Sequence, residues 1–138
     1  MPIDPFEHLP GYLLRRVSAA SMERLSGRLR KLGLRPSEAT VLCVVRANPN
    51  ITQSDLGRML NIARANMAPL AGRLARIGLL ERRPVDGRSH GLALTAKGQA
   101  MTLRIVRAIE QHESELAARI PAGQLAAFVS CLRALRDS

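Results

Sequence analysis

Aromatic residues and cysteines are scarce in this chain. Its 138 residues include no tryptophan, one tyrosine and two phenylalanines, so a ligand pocket here cannot be lined by many aromatic rings. The two cysteines, Cys43 and Cys131, do not form a C-x-x-C pair, and each lies within an apolar helical run. A disulfide framework and a cysteine metal site are therefore not expected. Both thiols are predicted to be buried and free, and no cofactor is expected.

Long apolar runs are also missing. No stretch approaches the roughly 18 apolar residues that a membrane span needs. Residues 1–10, MPIDPFEHLP, lack the charged-then-apolar pattern of a secretion signal. We therefore expect a cytoplasmic protein that does not interact with a membrane. A hydrophobic content of 46% in 138 residues suits one domain with its own core and leaves no room for two.

Acidic residues are outnumbered by basic ones. The chain has 21 Lys and Arg against 11 Asp and Glu, a formal net charge of +10. Such a balance favours a polyanionic partner, and nucleic acid fits best. Taken alone, the charge is also compatible with an arginine-rich composition whose side chains are simply solvated.

Apolar spacing predicts four helices in the first part of the chain. Their predicted spans are His8–Lys31, 36–47, 53–60 and 63–77. Thr52 is suited to cap the third helix, with Asp55 in its first turn. Asn61 tolerates the left-handed conformation of a helix end, so residues 60–63 are predicted to form a tight turn between two helices.

The predicted helix at 63–77 has two unlike faces. Its apolar face consists of Met67, Leu70, Leu74 and Ile77. Its opposite face has small residues flanked by basic and amide side chains, namely Arg64, Ala65, Asn66, Ala68, Pro69, Gly72, Arg73 and Arg76. Small apolar groups contact thymine methyls, Asn and Arg pair with base edges, and outer arginines hold phosphates. This face is typical of a helix that reads DNA.

One residue of that face disturbs helical geometry. A proline inside a helix costs about 3 kcal/mol unless the helix bends or begins later. Pro69 removes the N–H that would bond the carbonyl of Ala65, and a bend there would tilt the first turn. Which base Arg64 and Asn66 each read is left open.

A hairpin follows this helix. Residues 79–83 and 91–94 are predicted to pair as strands around a turn formed by Pro84, Asp86 and Gly87, with basic residues near the tip. Catalysis is not expected there. Asp86, Ser89 and His90 are close in sequence, but neighbours at a hairpin tip do not form a line of nucleophile, base and orienting group.

Two further helices complete the chain. A long one is predicted after Thr95 and ends before Pro121, and it carries His112, which is expected to be solvated or at an interface. A last helix covers the segment from Leu125 to Leu135. Together with the first helix, their apolar stripes predict a dimer interface, because such stripes must be covered. Packing within one chain is the alternative.

The hairpin and the residues after it carry a specific pattern, D-x-R-x-x-x-x-x-L-T followed by K-G. The pattern consists of Asp86, Arg88, Leu94, Thr95, Lys97 and Gly98. Together with TQSDLGRML and RLARIGLLERR, it resembles the MarR family of transcriptional regulators. The resemblance implies a mainly α-helical fold with a small β-hairpin wing, a winged helix-turn-helix. It also implies a homodimeric repressor of a pseudo-palindromic operator in double-stranded DNA, released by a small molecule or, in some branches, by oxidation.

The resemblance also implies an organisation and a set of site residues. Residues 1–138 would form one domain, with a DNA-binding head at 36–98 and dimerisation helices at 8–32 and 96–136. The predicted DNA-binding residues are Arg64, Ala65, Asn66, Ala68, Arg73, Arg76, Arg82, Arg83, Asp86 and Arg88. In the wing, Asp86 would orient Arg88 toward the minor groove. An ordinary surface ion pair is the alternative.

The segment LPGYLLRR is similar to a branch of the family that responds to aromatic acids or their coenzyme A thioesters. This implies that Arg15 and Arg16 hold an effector carboxylate or phosphate. Two solvated arginines on a dimer helix are the alternative. For the whole chain, the rival function is a non-specific, chromatin-like nucleic-acid-binding protein.

Overall fold

The structure is a computed structural model that describes residues 1–87 and 90–137. These residues form six helices and three strands. The elements are α1 Pro10–Arg30, α2 Pro36–Ala47, β1 Ile51–Thr52, α3 Gln53–Leu60, α4 Arg64–Arg76, β2 Leu80–Pro84, β3 His90–Leu94, α5 Ala96–Ala118 and α6 Leu125–Arg136. The predicted fold class, mainly α with a small β wing, is confirmed.

The chain divides into two compact units. One consists of Met1–Arg24 and Ile109–Ser138, and the other of Leu25–Ala108. The second unit holds the helix-turn-helix, the hairpin and most of the core. Its largest fully buried side chains are Leu29, Val41, Leu42, Val45, Leu56, Met67, Leu74, Leu79, Thr102 and Ile105.

Local sequence explains where the helices of this unit end. The hydroxyl of Thr52 accepts from the backbone N–H of Asp55 at 3.1 Å and caps α3. Asn61 ends α3 with φ of 53°, in the left-handed region. Gly78, with φ of 81°, follows α4, where a residue with a Cβ would be strained. The left-handed Asn61 thus forms part of the tight turn between α3 and α4.

The sheet has the order β1-β3-β2 and is antiparallel throughout. The hairpin pairs Leu80 with Leu94 and Pro84 with His90. On its other side, β3 pairs with β1, where Ile51 lies opposite Leu92. The strand β1 was not predicted, because two residues are too few to show an alternating pattern. It attaches the wing to the start of α3.

In the first unit, α6 buries none of its residues within one chain. Leu125 and Leu135 are 45% and 58% exposed. Cys131 on the same helix is exposed, so its predicted burial is wrong. By contrast, His112 is buried at 4% exposure, and its Nε2 lies 2.9 Å from the hydroxyl of Ser21. Of the two expectations for His112, the solvated position is therefore wrong, and the interface position stays a prediction.

Candidate nucleic-acid interface

The two predicted faces of α4 are present. Met67 and Leu74 on the inner face are 1% and 0% exposed. On the outer face, the exposed residues are Arg64, Ala65, Asn66, Ala68, Pro69 and Arg76. Within residues 1–87 and 90–137, the side chains of Arg64 and Arg76 have no hydrogen-bond or ion-pair partner. The outer face therefore offers small groups that allow close approach, with two guanidinium groups left for an external partner.

The beginning of α4 is held by few bonds. Its N-cap residue, Ala63, provides no side-chain hydrogen bond, although its carbonyl accepts from the N–H groups of Asn66 and Met67. Pro69 lies inside the helix, which runs on to Arg76. The carbonyl of Ala65 thus lacks its usual donor from position 69. The position of the turns that carry Arg64 and Asn66 therefore depends on contacts made by other parts of α4.

An open groove of about 770 Å³ lies beside the start of α4. It is bounded by α3, the turn after it, the start of α4 and the strands of the wing. Its lining consists of Gln53, Ser54, Gly57, Arg58, Asn61, Ile62, Ala63, Arg64, Met67, Arg82, His90 and Leu92. Arg82 is directed at Gln53, with Nη2 at 3.4 Å from Oε1, and Arg58 pairs with Asp55. The groove is thus lined by three arginines from three elements.

Arg73 is not directed outward as predicted. Its Nη1 donates to Oε2 of Glu38, whose side chain is only 4% exposed, and its Nη2 lies 3.5 Å from the carbonyl oxygen of Gly33. Sequence reasoning missed this partner because Glu38 is 35 positions away. In this structure the Arg73 guanidinium is bound to the protein, and its expected phosphate contact stays a prediction.

The wing carries the other predicted residues. Arg82 and Arg83 on β2 are exposed, and Nε of Arg83 donates to Glu81 Oε1 at 2.9 Å. Asp86 is exposed at the tip. Arg88 lies outside the described residues, so its predicted pairing with Asp86 stays a prediction.

The L-T-x-K-G part of the motif holds the end of α4. The hydroxyl of Thr95 donates to the carbonyl of Gly78 at 2.5 Å and accepts from the N–H of Gly98 at 2.9 Å. Lys97 Nζ donates to the carbonyl of Ile77 at 2.9 Å. These bonds satisfy the backbone carbonyls of the two residues that follow α4. The motif was found in the sequence, but its role was not.

The two candidate effector residues lie around the one tyrosine. Arg16 Nη1 donates to the hydroxyl of Tyr12 at 2.7 Å, and that hydroxyl donates to Asp4 Oδ2 at 2.5 Å. The guanidinium carbons of Arg15 and Arg16 each lie 5.6 Å from the ring centre of Tyr12. Arg16 is thus oriented by partners, whereas the contact that Arg15 makes within the described part of the chain is with the ring.

Hydrogen bonding and burial shift the pKa of three groups. The bond from Tyr12, helped by the N–H of Phe6, lowers the pKa of the Asp4 carboxyl. The same hydroxyl raises the pKa of Arg16. Burial raises the pKa of the Cys43 thiol, which disfavours a reactive thiolate.

No cluster of three potential metal ligands is found in residues 1–87 and 90–137. Among the helices of that part, none is long and apolar enough to cross a membrane.

Comparison with known proteins gives consistent matches. Residues 32–89 match the sequence model of the MarR family. The chain is 30% identical to the HTH-type transcriptional repressor Rv2887 of Mycobacterium tuberculosis over 128 residues, which cover 91% of each protein. The crystal structure of Rv2887 superposes with a TM-score of 0.76 at 27% identity, covering 94% of this chain and 95% of that one. Rv2887 has also been solved in complex with salicylic acid.

A second solved protein is similar over nearly the whole chain. The transcriptional repressor CouR bound to a 23-mer DNA duplex superposes with a TM-score of 0.86 at 29% identity, covering 99% of this chain and 98% of that one. CouR bound to p-coumaroyl-CoA superposes with a TM-score of 0.83 at 26% identity, covering 99% and 97%. From its motif, its winged helix-turn-helix and these relatives, the chain belongs to the MarR family.

Proposed function

We propose that this protein is a homodimeric, sequence-specific DNA-binding regulator of transcription that acts as a repressor. The observation that carries this proposal is the outer face of α4. Arg64 and Asn66 are exposed there beside Ala65 and Ala68, while Met67 and Leu74 anchor the opposite face in the core. A small exposed strip between polar groups fits the floor of a major groove, where Arg and Asn discriminate bases.

The apolar residues left exposed in one chain support a dimer. Several of them lie on α1 and α6, including Leu13, Val17, Met22, Leu125 and Leu135. Exposed apolar stripes of this kind mark association surfaces. A two-fold dimer presents two copies of α4 to successive major grooves, so the operator is an inverted repeat with half-sites about 10 bp apart.

The effector is an aromatic acid or its coenzyme A thioester. Arg15 and Arg16 support this choice, because guanidinium groups bind carboxylates and phosphates. Rv2887 with salicylic acid and CouR with p-coumaroyl-CoA show that two relatives bind such molecules. Release of operator DNA by salicylate or p-coumaroyl-CoA, weakened in Arg15→Ala and Arg16→Ala, is the expected result. Release unaffected by both substitutions would count against this site.

Selection of binding fragments from random or genomic DNA tests the proposed function. The expected outcome is one pseudo-palindromic motif, together with a dimer mass in sedimentation equilibrium at micromolar protein. A chromatin-like protein, which the net charge of +10 also suits, would bind fragments without a shared motif. A monomer, or a motif without dyad symmetry, would contradict the proposed assembly.

A further inference from the structure

Arg73 is bonded to another part of the protein, unlike the other two basic residues of α4. Within the described residues, Arg64 and Arg76 have no bonded partner, whereas Arg73 bonds Glu38 through Nη1 and approaches the Gly33 carbonyl through Nη2. The side chain of Arg73 is 41% exposed, and that of Glu38 is 4% exposed. The charged end of Arg73 is thus bound to a buried carboxylate of another helix.

Glu38 joins two elements through its two oxygens. Oε2 accepts from Arg73 on α4, and Oε1 accepts from the backbone N–H of Arg35 at 2.8 Å, just before α2 begins. Without Arg73, the buried carboxylate would carry an uncompensated charge, and without the Arg35 N–H it would lose a hydrogen bond. Its position is therefore tightly constrained, and through it the start of α2 is tied to the third turn of α4.

The early part of α4 needs such a constraint. Ala63 contributes no capping side chain, and Pro69 removes one hydrogen bond of the helix. Arg73 lies one turn after Pro69 and provides the next fixed point along the helix. At the end of α4, Lys97 and Thr95 bond the carbonyls of Ile77 and Gly78. The buried face of α4 and the bonds of Arg73 both oppose rotation of the helix about its own axis.

We propose that Arg73 and Glu38 are positioning residues for DNA recognition: their bond fixes the orientation of α4 and thereby aims Arg64 and Asn66 at the bases. Neither residue contacts DNA in this arrangement. The inference rests on the proposed DNA-binding function.

The dependence of binding on salt separates positioning from phosphate binding. Each phosphate that a cationic side chain neutralises contributes about 0.9 to the slope of log K against log salt, so removing that side chain from both protomers of a dimer lowers the slope by about 1.8. The variants are Arg73→Met, Glu38→Gln, the double variant and the matched control Arg76→Met. The probes are the inverted repeat selected by the wild-type protein and a random duplex of equal length.

Positioning predicts a distinctive set of results. Arg73→Met and Glu38→Gln weaken binding to the inverted repeat, by about tenfold for Arg73→Met, a size usual for coupled neighbouring residues. Both keep the wild-type salt slope and the wild-type affinity for the random duplex. The double variant is no weaker than Arg73→Met, because the two residues act through one bond. Arg76→Met lowers the slope on both duplexes.

Two results would overturn the proposal. One is a slope lowered by about 1.8 in Arg73→Met, which identifies direct binding to phosphate. The other is wild-type affinity of Glu38→Gln for the inverted repeat. Glu38→Gln keeps the size and the acceptor oxygen of the side chain, and circular dichroism establishes that each variant is folded. Wild-type protein that binds both duplexes equally would instead contradict the proposed function itself.

Discussion

Replacing Gly98 by alanine should disrupt the junction between the end of α4 and the start of α5. A Cβ at this position would lie 2.0 Å from the carbonyl oxygen of Leu79 and 3.0 Å from its carbonyl carbon. Favourable contacts begin at about 3.5 Å, so the two segments must separate by about 1.5 Å. That shift also strains the bond from the Thr95 N–H to the Leu79 carbonyl, now 3.2 Å.

The expected loss of stability follows from three contributions. Overpacking against backbone costs about 1–3 kcal/mol. A weakened hydrogen bond costs about 1 kcal/mol more. Alanine in place of glycine within a helix stabilises the folded state by about 0.5–1 kcal/mol, which offsets part of this loss. Gly98→Ala should therefore lower the free energy of unfolding by roughly 1–3 kcal/mol.

Gly72→Ala is the matched control for this measurement. Its added Cβ would lie 3.6 Å from the end of the Arg76 side chain, an ordinary contact. Gly72→Ala should therefore raise the free energy of unfolding by the about 0.5–1 kcal/mol that alanine contributes over glycine within a helix. Urea unfolding followed by circular dichroism measures the free energy of unfolding of both variants. All samples are kept at one protein concentration, because the stability of the proposed dimer depends on concentration. A Gly98→Ala variant as stable as wild type, or more stable, would refute the close approach of Gly98 and Leu79.

Three further predictions concern the DNA-facing residues. Arg64→Ala should lose about 1–3 kcal/mol of discrimination at particular base pairs, measured by competition between operator variants, and equal loss on every sequence would contradict base reading. Pro69→Ala should raise the free energy of unfolding in urea by about 1–3 kcal/mol, because the helix regains an N–H donor and loses a steric clash; a destabilised variant would contradict this. In a double-mutant cycle on operator affinity, Asp86→Asn should add almost nothing to Arg88→Ala if Asp86 acts by orienting Arg88. Additive losses would favour a turn-forming role for Asp86.

The helix-turn-helix could be predicted because its signals are local. A capping threonine, an asparagine at a left-handed position and a glycine stop lie within a few residues of the ends they define. Apolar spacing likewise identified Met67 and Leu74 on the buried face of α4, but it missed Ala71. The boundaries of α1 were less accurate: the helix begins at Pro10 and ends at Arg30, within the predicted span His8–Lys31.

The contacts that could not be predicted join residues that are far apart in the sequence. The bond between Arg73 and Glu38 and that between His112 and Ser21 join residues 35 and 91 positions apart. A basic residue at the edge of an exposed helix face looks the same in sequence whether it faces phosphate or a buried carboxylate. The role of the Thr95 hydroxyl was missed for the same reason, since its acceptor on Gly78 belongs to the preceding helix end.

The most direct test of base reading by α4 is to repeat the selection from random DNA with Asn66→Ala and compare its motif with that of the wild-type protein. Two protomers that each place α4 in a major groove should yield the same inverted repeat, with preference relaxed at one position in both half-sites. Arg76→Ala should select the wild-type motif with weaker affinity. An Asn66→Ala motif identical to that of wild type, or a change on only one side of the dyad, would contradict the assignment of α4 as the base-reading helix.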